Sequence, residues 1–166
     1  MAEAEPKTLY ERDFLAWSTQ QAEALRSAAR AGSNQALDWE NLAEEIESLG
    51  TSQRSALASQ IRRVVRHLLK LQHSPTPGPR RGWIESIVDA RAEIEDLFET
   101  SPSLRTGLDR EISRQVERAA KLAMRDLQAN GELDPTAAAA LHATTYTRDQ
   151  IIGDWFPGEP LPAEKS

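Results

Sequence analysis

The chain has 166 residues, a formal net charge of −6, 39% hydrophobic residues and no Cys. This size and composition predict one globular domain with a hydrophobic core and argue against an intrinsically disordered chain. The negative charge argues against general nucleic-acid binding, which depends on neutralising phosphates. Without Cys, neither a disulfide nor a thiolate zinc site is possible.

The ends of the sequence predict a simple domain organisation. Residues 1–8 lack the charged start and the apolar middle of a signal peptide, and no apolar run could span a bilayer. We therefore expect a cytoplasmic protein with no membrane partner. Residues 9–157 are predicted to form a single domain, between a disordered N-terminus and a disordered, Pro-rich tail over residues 158–166.

Helical patterns cover most of the chain, and alternating strand patterns are absent from it. The sequence predicts an all-α bundle of four long helices plus one or two short C-terminal helices. The first helix is expected over Leu9–Ala31, after a capping box formed by Thr8 and Glu11. Residues three or four positions apart define its expected inward face: Tyr10, Phe14, Trp17, Gln21, Ala24, Ala28 and Ala31.

The second helix is expected from the N-cap Asp38 to His73, where the Pro-rich residues 74–79 end it. We favour one continuous helix, with a kink or break at Gly50 as the alternative. Its predicted buried stripe continues through this glycine and consists of Leu42, Ile46, Leu49, Gln53, Leu57, Ile61, Val64, Leu68 and Leu71.

Two further long helices and two short ones complete the prediction. The third helix is expected over Gly82–Glu99, and its inward face consists of Ile84, Ile87, Val88, Arg91, Ile94, Glu95 and Phe98. The fourth begins at Ser101-Pro102, an N-cap followed by Pro at the first helical position, and ends at Asn130-Gly131. Short helices are expected to begin after Asp134 and after Thr147.

Several motifs occur in an order that resembles a known bacterial family. They are Tyr10-x-x-Asp13-Phe14-x-x-Trp17, Leu42-x-Glu44-Glu45-Ile46-Glu47-x-Leu49-Gly50, His67-Leu68-Leu69-Lys70 and Tyr146-Thr147-x-x-Gln150-Ile151-Ile152. Over about residues 9–157, this pattern resembles the family catalogued as domain of unknown function 29. The resemblance implies a compact helical bundle in a bacterial protein, and it implies no established activity.

Residues 48–84 contain no Asp or Glu but seven basic residues, so this segment carries a charge of +7. One interpretation is intramolecular, because the segments on both sides are acidic and could neutralise a basic helix. In the other interpretation, Arg63, Arg66 and Lys70 on one flank of the second helix bind a partner protein or, less favourably, nucleic acid.

Polar side chains interrupt the apolar faces of the second and third helices. Three of them recur every seven residues along the second helix: Gln53, Gln60 and His67. Asp38 and Glu45 lie on one flank of the same face, and buried polar groups of this kind need partners. We expect Arg91 to pair with Glu45 or, less favourably, Asp38, and so to fix the helix register. Asp38 also fits the simpler role of an N-cap.

His67 has two interpretations. It is either a hydrogen-bonded core residue or a proton-transfer group or metal ligand that works with Asp89 or Glu93 of the third helix. The spacings His-x-x-x-His and Glu-x-x-His, which are typical of helical metal sites, do not occur in the sequence. We therefore assign no catalytic residue, no metal and no cofactor.

The favoured functional hypothesis is an interaction protein without catalysis that binds an unidentified protein through a charged helical face. An enzyme or metal-binding protein using His67 is the first alternative, and a nucleic-acid-associated regulator using residues 54–81 is the second. Glu40, Glu44 and Glu47 project away from the predicted buried stripe and form either a solvated face or an acidic docking surface. A homo-oligomer is a further option, since the long second helix could extend past its neighbours.

Overall fold

The computed structural model describes residues 7–32 and 35–158, which contain helices and no strand. The helices are α1 (Leu9–Arg12), α2 (Phe14–Arg30), α3 (Trp39–His73), α4 (Arg80–Thr100), α5 (Leu108–Ala129), α6 (Pro135–Ala143) and α7 (Arg148–Ile152), with a 3₁₀ turn over Pro102–Arg105. The prediction of an all-α fold, with four long helices and two short C-terminal ones, is therefore confirmed.

The chain divides into two compact units. Unit one comprises the residues up to Leu57 together with Asp96–Thr106, and unit two comprises Ala58–Glu95 and the residues from Gly107 onwards. The helices α3 and α4 each contribute residues to both units. Residues 1–6 and 159–166, which make up most of the two segments predicted to be disordered, lie outside the described residues.

The first predicted helix is interrupted at Asp13, whose backbone is extended, with φ −159° and ψ 92°. The Asp13 carboxylate caps α2 by accepting a hydrogen bond from Ala16 N at 2.9 Å. It also accepts bonds from the backbone N and the Oγ of Ser103, at 2.7 and 2.8 Å. The prediction of one helix over Leu9–Ala31 is wrong here, because this carboxylate satisfies donors of two chain segments at once.

The buried face of α2 differs from the predicted one. Three residues form it, each one position after a residue of the predicted stripe: Leu15, Ser18 and Ala22. Tyr10 is 54% exposed, and the rings of Tyr10, Phe14 and Trp17 pack on one another with centroids 4.8 to 5.7 Å apart. The aromatic residues thus form a partly exposed cluster, and the side chains that face Gly50 of α3 are those of Leu15 and Ser18.

Helix α3 runs without interruption through Gly50, as the sequence favoured. Gly50 is buried, and a β-carbon on this residue would lie 2.5 Å from Ser18 Oγ and 2.9 Å from Leu15 Cδ1. Both distances are too short for ordinary contact, so a larger residue would force the side chains of Ser18 and Leu15, or the helices themselves, to move. Glycine at this position therefore permits a close approach of α2 and α3 and does not break the helix.

From Leu57 onwards the predicted stripe of α3 is buried, but its first two leucines are not. Leu42 is 40% exposed and Leu49 is 48% exposed, whereas the next residue in each case, Ala43 or Gly50, is buried. The prediction that both leucines are buried is wrong, because helices that meet through small residues leave larger side chains at the edge of the contact.

Unit two contains the larger hydrophobic core. Its buried residues from α3, α4, α5, α6 and α7 include Ile61, Val65, Leu69, Ile87, Ile94, Leu127, Leu141 and Ile151. On α4, Ile87 and Ile94 follow the prediction, but Ile84 and Val88 are 40% and 52% exposed and Glu95 is exposed as well. The buried side of α4 is therefore narrower than the predicted inward face.

The fourth long helix begins later than predicted. Pro102–Arg105 forms a 3₁₀ turn, and Gly107, with a φ of +76°, comes directly before α5. This left-handed conformation is strained for residues that carry a β-carbon, so it separates the turn from the helix at a glycine. The end of α5 at Asn130-Gly131 follows the prediction.

Candidate functional site

The basic half of α3 is held by a carboxylate of α5. Arg66 donates through Nε and Nη2 to the two oxygens of Asp126, at 2.8 and 2.7 Å. Lys70 Nζ lies 3.4 Å from the same carboxylate and 4.7 Å from the centroid of the Trp83 ring. Two of the three cations predicted to bind a partner are thus engaged inside unit two, which supports the intramolecular interpretation of the basic segment.

The charges around Asp126 determine its ionisation. Burial disfavours the charged carboxylate, but the hydrogen bonds and the charge of Arg66, together with the charge of Lys70, hold the pKa of Asp126 below its usual range. The same hydrogen bonds raise the pKa of Arg66. Asp126 and Arg66 are therefore both ionised at neutral pH, and their ion pair joins α3 to α5.

Other cations of residues 48–84 also have partners within unit two. Arg62 donates to Gln115 Oε1 at 2.9 Å, and Arg63 donates to Ser86 Oγ at 2.9 Å. Arg80 donates to the carbonyl oxygen of Leu71 at 2.7 Å. Arg63 remains exposed, whereas Arg66 and Lys70, the other two predicted partner-binding residues, are partly buried.

His67 is partly buried beside this cluster, and its buried Nδ1 has no hydrogen-bond partner among the described residues. Burial, assisted by the charges of Lys70 and Arg66, lowers the pKa of His67 to about 4. The imidazole is therefore neutral at physiological pH. The carboxylate whose charge acts on it is that of Asp126 on α5, and not that of Asp89 or Glu93, the candidates on the third helix under the enzyme alternative.

The predicted partners for His67, Asp89 and Glu93, are both exposed on α4. Within residues 7–32 and 35–158, no three or more His, Asp and Glu side chains come together in a way that could hold a metal ion. The surroundings of His67 are mainly cationic, and a cationic environment disfavours both a bound metal ion and a protonated imidazole.

The other polar residues on the α3 stripe have few partners. Gln53 Oε1 accepts a hydrogen bond from Ser101 Oγ at 3.4 Å, whereas the buried Oε1 of Gln60 has no partner in the part of the chain that the structure describes. The partners expected for the polar residues of this stripe are therefore not found among the described residues for Gln60 Oε1 and His67 Nδ1.

Arg91 fixes the C-terminal part of the described chain. Its guanidinium donates to the carbonyl oxygens of Ile151, Gln150 and Trp155, at 2.9, 2.7 and 2.8 Å. It also lies 4.9 Å from the centroid of the Phe156 ring. Two of the three carbonyls lie at the end of α7, where a helix leaves carbonyl oxygens unbonded and partly negative. One side chain in the middle of the sequence thus holds the end of the last helix.

The two carboxylates predicted as partners for Arg91 have other surroundings. Asp38 is exposed and accepts hydrogen bonds from Asn41 N at 3.3 Å and Asn41 Nδ2 at 2.6 Å, so its N-cap role applies. Glu45 is exposed on α3. The prediction that Glu45 or Asp38 is a buried acceptor for Arg91 is wrong, because main-chain carbonyls take that place.

Exposed residues of α3 in unit one form what we call the outer stripe. Its members, alternately three and four residues apart, are Leu42, Glu45, Leu49, Ser52 and Ala56, and all are exposed. This spacing places them along one side of the helix. The outer stripe combines two large apolar side chains with a carboxylate and contains no basic residue.

An open depression of about 520 Å³ adjoins the outer stripe at Ser52. Carboxylates and hydroxyls line it, from Glu44, Glu47, Ser48, Thr51, Ser52 and Ser55. Glu47 binds Arg26 at 2.6 Å, whereas Glu40, Glu44 and Glu45 form no ion pair with any described residue. The acidic half of α3 is therefore mostly unneutralised, in contrast to the basic half.

These helices and contacts define an all-α protein in which the first half of α3 carries exposed carboxylates and the second half carries basic side chains that are mostly paired within unit two. The chain belongs to the family described as Domain of unknown function DUF29, whose model matches residues 9–156. The resemblance inferred from the sequence motifs is therefore confirmed.

The fold also matches a crystal structure. The chain is similar to an α-helical protein of unknown function from Rhodospirillum rubrum, with 27% sequence identity and a TM-score of 0.64; the match covers 92% of this chain and 100% of that chain. No curated protein matches the chain. Within the described residues, every helix is either too short or too polar to cross a membrane.

Proposed function

We propose that the protein is a cytoplasmic interaction module without catalysis, and that the outer stripe of α3 binds a basic, amphipathic helix of a partner protein. The observation that carries the proposal is the exposure of Leu42 and Leu49 on the same side of α3 as the carboxylate of Glu45. Apolar anchors seven residues apart, with charge between them, are typical of surfaces that accept another helix.

The two leucines supply the apolar part of the contact. They lie two helical turns apart, roughly 10 Å along α3, which matches anchors seven residues apart on a second helix. Leu42 is 40% exposed and Leu49 is 48% exposed, so each still has about half of its surface to bury. Covering that surface contributes about 1 kcal/mol per leucine.

The negative charge of this part of the chain favours a basic partner. Residues 31–53 contain five acidic residues and no basic one. Glu44 and Glu45 lack an ion-pair partner among the described residues, and the adjoining depression, which Glu44 lines, adds the hydroxyl oxygens of serine and threonine side chains. Lys or Arg side chains on the bound helix would neutralise this surface, and charge complementarity of this kind raises the rate of association and fixes orientation.

The same contacts disfavour the two alternative hypotheses. Arg66 and Lys70 would have to leave Asp126 before they could bind a phosphate. His67 is neutral, lies among cations and has no acidic partner on α4. Neither a nucleic-acid surface nor a catalytic site is favoured by this arrangement, whereas the acidic, partly apolar outer stripe is available for binding.

Binding of a synthetic amphipathic helix tests the proposal. The probe carries leucines seven residues apart with lysines between them, and a matched peptide carries glutamates in place of the lysines. Fluorescence anisotropy should show binding of the lysine peptide alone, weakened by salt. Leu42→Gln combined with Leu49→Gln should lower the affinity at least about tenfold, which corresponds to about 1.4 kcal/mol.

A matched control tests whether the peptide binds the outer stripe in particular or any exposed apolar side chains. Ile84→Gln with Val88→Gln changes two equally exposed apolar residues of unit two and should leave peptide binding unchanged. Equal binding of the glutamate peptide, or an unchanged affinity in the outer-stripe variant, would contradict the proposal. A photo-crosslinker in place of Ser52 then captures the natural partner from lysate, and an adduct lost on nuclease treatment would favour the nucleic-acid hypothesis instead.

A further inference from the structure

The outward side of α4 in unit two carries an apolar strip. Ile84 and Val88 are 40% and 52% exposed, and Ala92, four residues further along, is exposed as well. Residues four apart are neighbours on one side of a helix, so the three side chains form a continuous strip. Ile87 and Ala90, which lie between them in the sequence, are buried on the other side of the helix.

Opposite charges flank this strip at equal distances from its centre. Arg81 lies seven residues before Val88, and Glu95 lies seven residues after it. Both are exposed, and the Arg81 side chain is 91% accessible. Arg81 is paired with Glu85 on its own helix, but exposed pairs of this type contribute little and are easily exchanged. The strip is therefore positive at one end and negative at the other.

We infer that this side of α4 binds a second copy of the chain, with the two α4 helices antiparallel about a two-fold axis at Val88. Ile84 then faces Ala92 of the partner subunit, and Arg81 faces Glu95 of the partner subunit. Two-fold symmetry repeats each contact, so the pairing of Arg81 with Glu95 of the partner subunit occurs twice in the dimer. A parallel pair would instead place like charges together at both ends, which disfavours that orientation.

The expected dimer is weak. Three apolar side chains per copy bury less than the roughly 1,200–2,000 Å² of a standard stable interface. Dimerisation should therefore depend on concentration, with a dissociation constant between about 1 µM and 1 mM. The inference goes beyond the proposed function, because it uses residues of unit two and needs no other protein.

Exchanging the charges of Arg81 and Glu95 tests both whether the chain forms a dimer and whether its α4 helices are antiparallel. Sedimentation velocity should show a growing dimer fraction up to about 1 mM wild-type protein. Arg81→Glu and Glu95→Arg should each weaken the dimer at least about tenfold, and the protein carrying both changes should regain it. A wild type that stays monomeric throughout, or a double variant that dimerises no better than the single variants, would overturn the inference.

Crosslinking provides an independent test, since the chain contains no Cys. In Val88→Cys, the two introduced thiols meet at the two-fold axis, and mild oxidation should join most of the protein into a disulfide-linked dimer. Glu93→Cys, on another side of α4 and also exposed, is the matched control and should remain monomeric. Both sites are on the surface, so circular dichroism should show an unchanged fold, and equal crosslinking at both would contradict the antiparallel arrangement.

Discussion

Replacing Gly50 by Ala tests whether the contact between α2 and α3 depends on a missing side chain. The new β-carbon would lie 2.5 Å from Ser18 Oγ and 2.9 Å from Leu15 Cδ1. Ser18 is fully buried and donates to the carbonyl oxygen of Leu15 at 3.0 Å, so moving its hydroxyl away from the new β-carbon would disturb this hydrogen bond. Overpacking of this kind costs about 1–3 kcal/mol, and the higher helix propensity of Ala offsets about 1 kcal/mol.

We therefore expect Gly50→Ala to lower the free energy of unfolding by about 1 kcal/mol and Tm by about 2–4 °C. Thermal and urea unfolding followed by circular dichroism measure both quantities. Ser18→Ala removes the nearest obstacle, so Gly50→Ala should cost less in that background, and a double-mutant cycle gives the difference. Gly82→Ala, whose β-carbon would have no atom within 4 Å, should not destabilise. A Gly50→Ala protein as stable as the wild type would refute the argument.

Three further substitutions test contacts of unit two. The pKa of His67 is about 4 when folded and about 6.5 when unfolded, so its contribution to stability is complete above pH 6.5 and is lost as the pH falls towards 4. In urea unfolding at several pH values, His67→Leu should reduce that loss by about 1–2 kcal/mol, allowing for its partial exposure, and an unchanged pH dependence would contradict this. Asp126→Asn leaves Arg66 without its carboxylate and should lower the free energy of unfolding by about 1–3 kcal/mol at pH 7. Because folding lowers the pKa of Asp126, this difference from the wild type should disappear as the pH falls through the lowered pKa. In Arg91→Lys the shorter donor group cannot bond three carbonyls, so the free energy of unfolding should fall by about 2–4 kcal/mol and proteolysis near α7 should become faster. Unchanged proteolysis would argue against Arg91 as a clamp on the end of α7.

Features set by neighbouring residues could be predicted from the sequence. The capping box is present, with Thr8 N donating to Glu11 Oε2 at 2.8 Å, and the Pro-rich segment after His73 ends α3. The end of α5 at Asn130-Gly131 also follows from residues in contact along the chain. Local chemistry of this kind is complete within one turn, so no knowledge of the rest of the fold is needed.

The buried side of each helix was harder to predict. Hydrophobic periodicity selects the largest apolar residues, and it therefore chose Leu42 and Leu49 over Ala43 and Gly50. Ala43 and Gly50 are buried instead, because Ser18 on α2 is also small and lets the two helices approach closely. A match between small residues on two different helices leaves no periodic pattern in the sequence of either helix alone.

The candidate site could be predicted only in part. The lack of acidic residues near Arg66 and Lys70 indicated an intramolecular partner, but nothing in the sequence distinguished Asp126, which lies 60 residues from Arg66, from other acidic residues. The acceptors of Arg91 could not be found at all from side-chain patterns, because they are carbonyl oxygens present at every residue.

The Arg91 clamp also affects how the chain behaves during its own synthesis. Its acceptors at Gln150, Ile151 and Trp155 follow it by 59, 60 and 64 residues. At roughly 5–20 residues per second, a ribosome takes about 3–13 s to add that length of chain. During that interval the guanidinium has none of these acceptors and keeps its hydration, so the surface that later receives α7 cannot close early. Nascent chains that stop before residue 150 would leave this guanidinium without the three main-chain acceptors that it has in the finished protein.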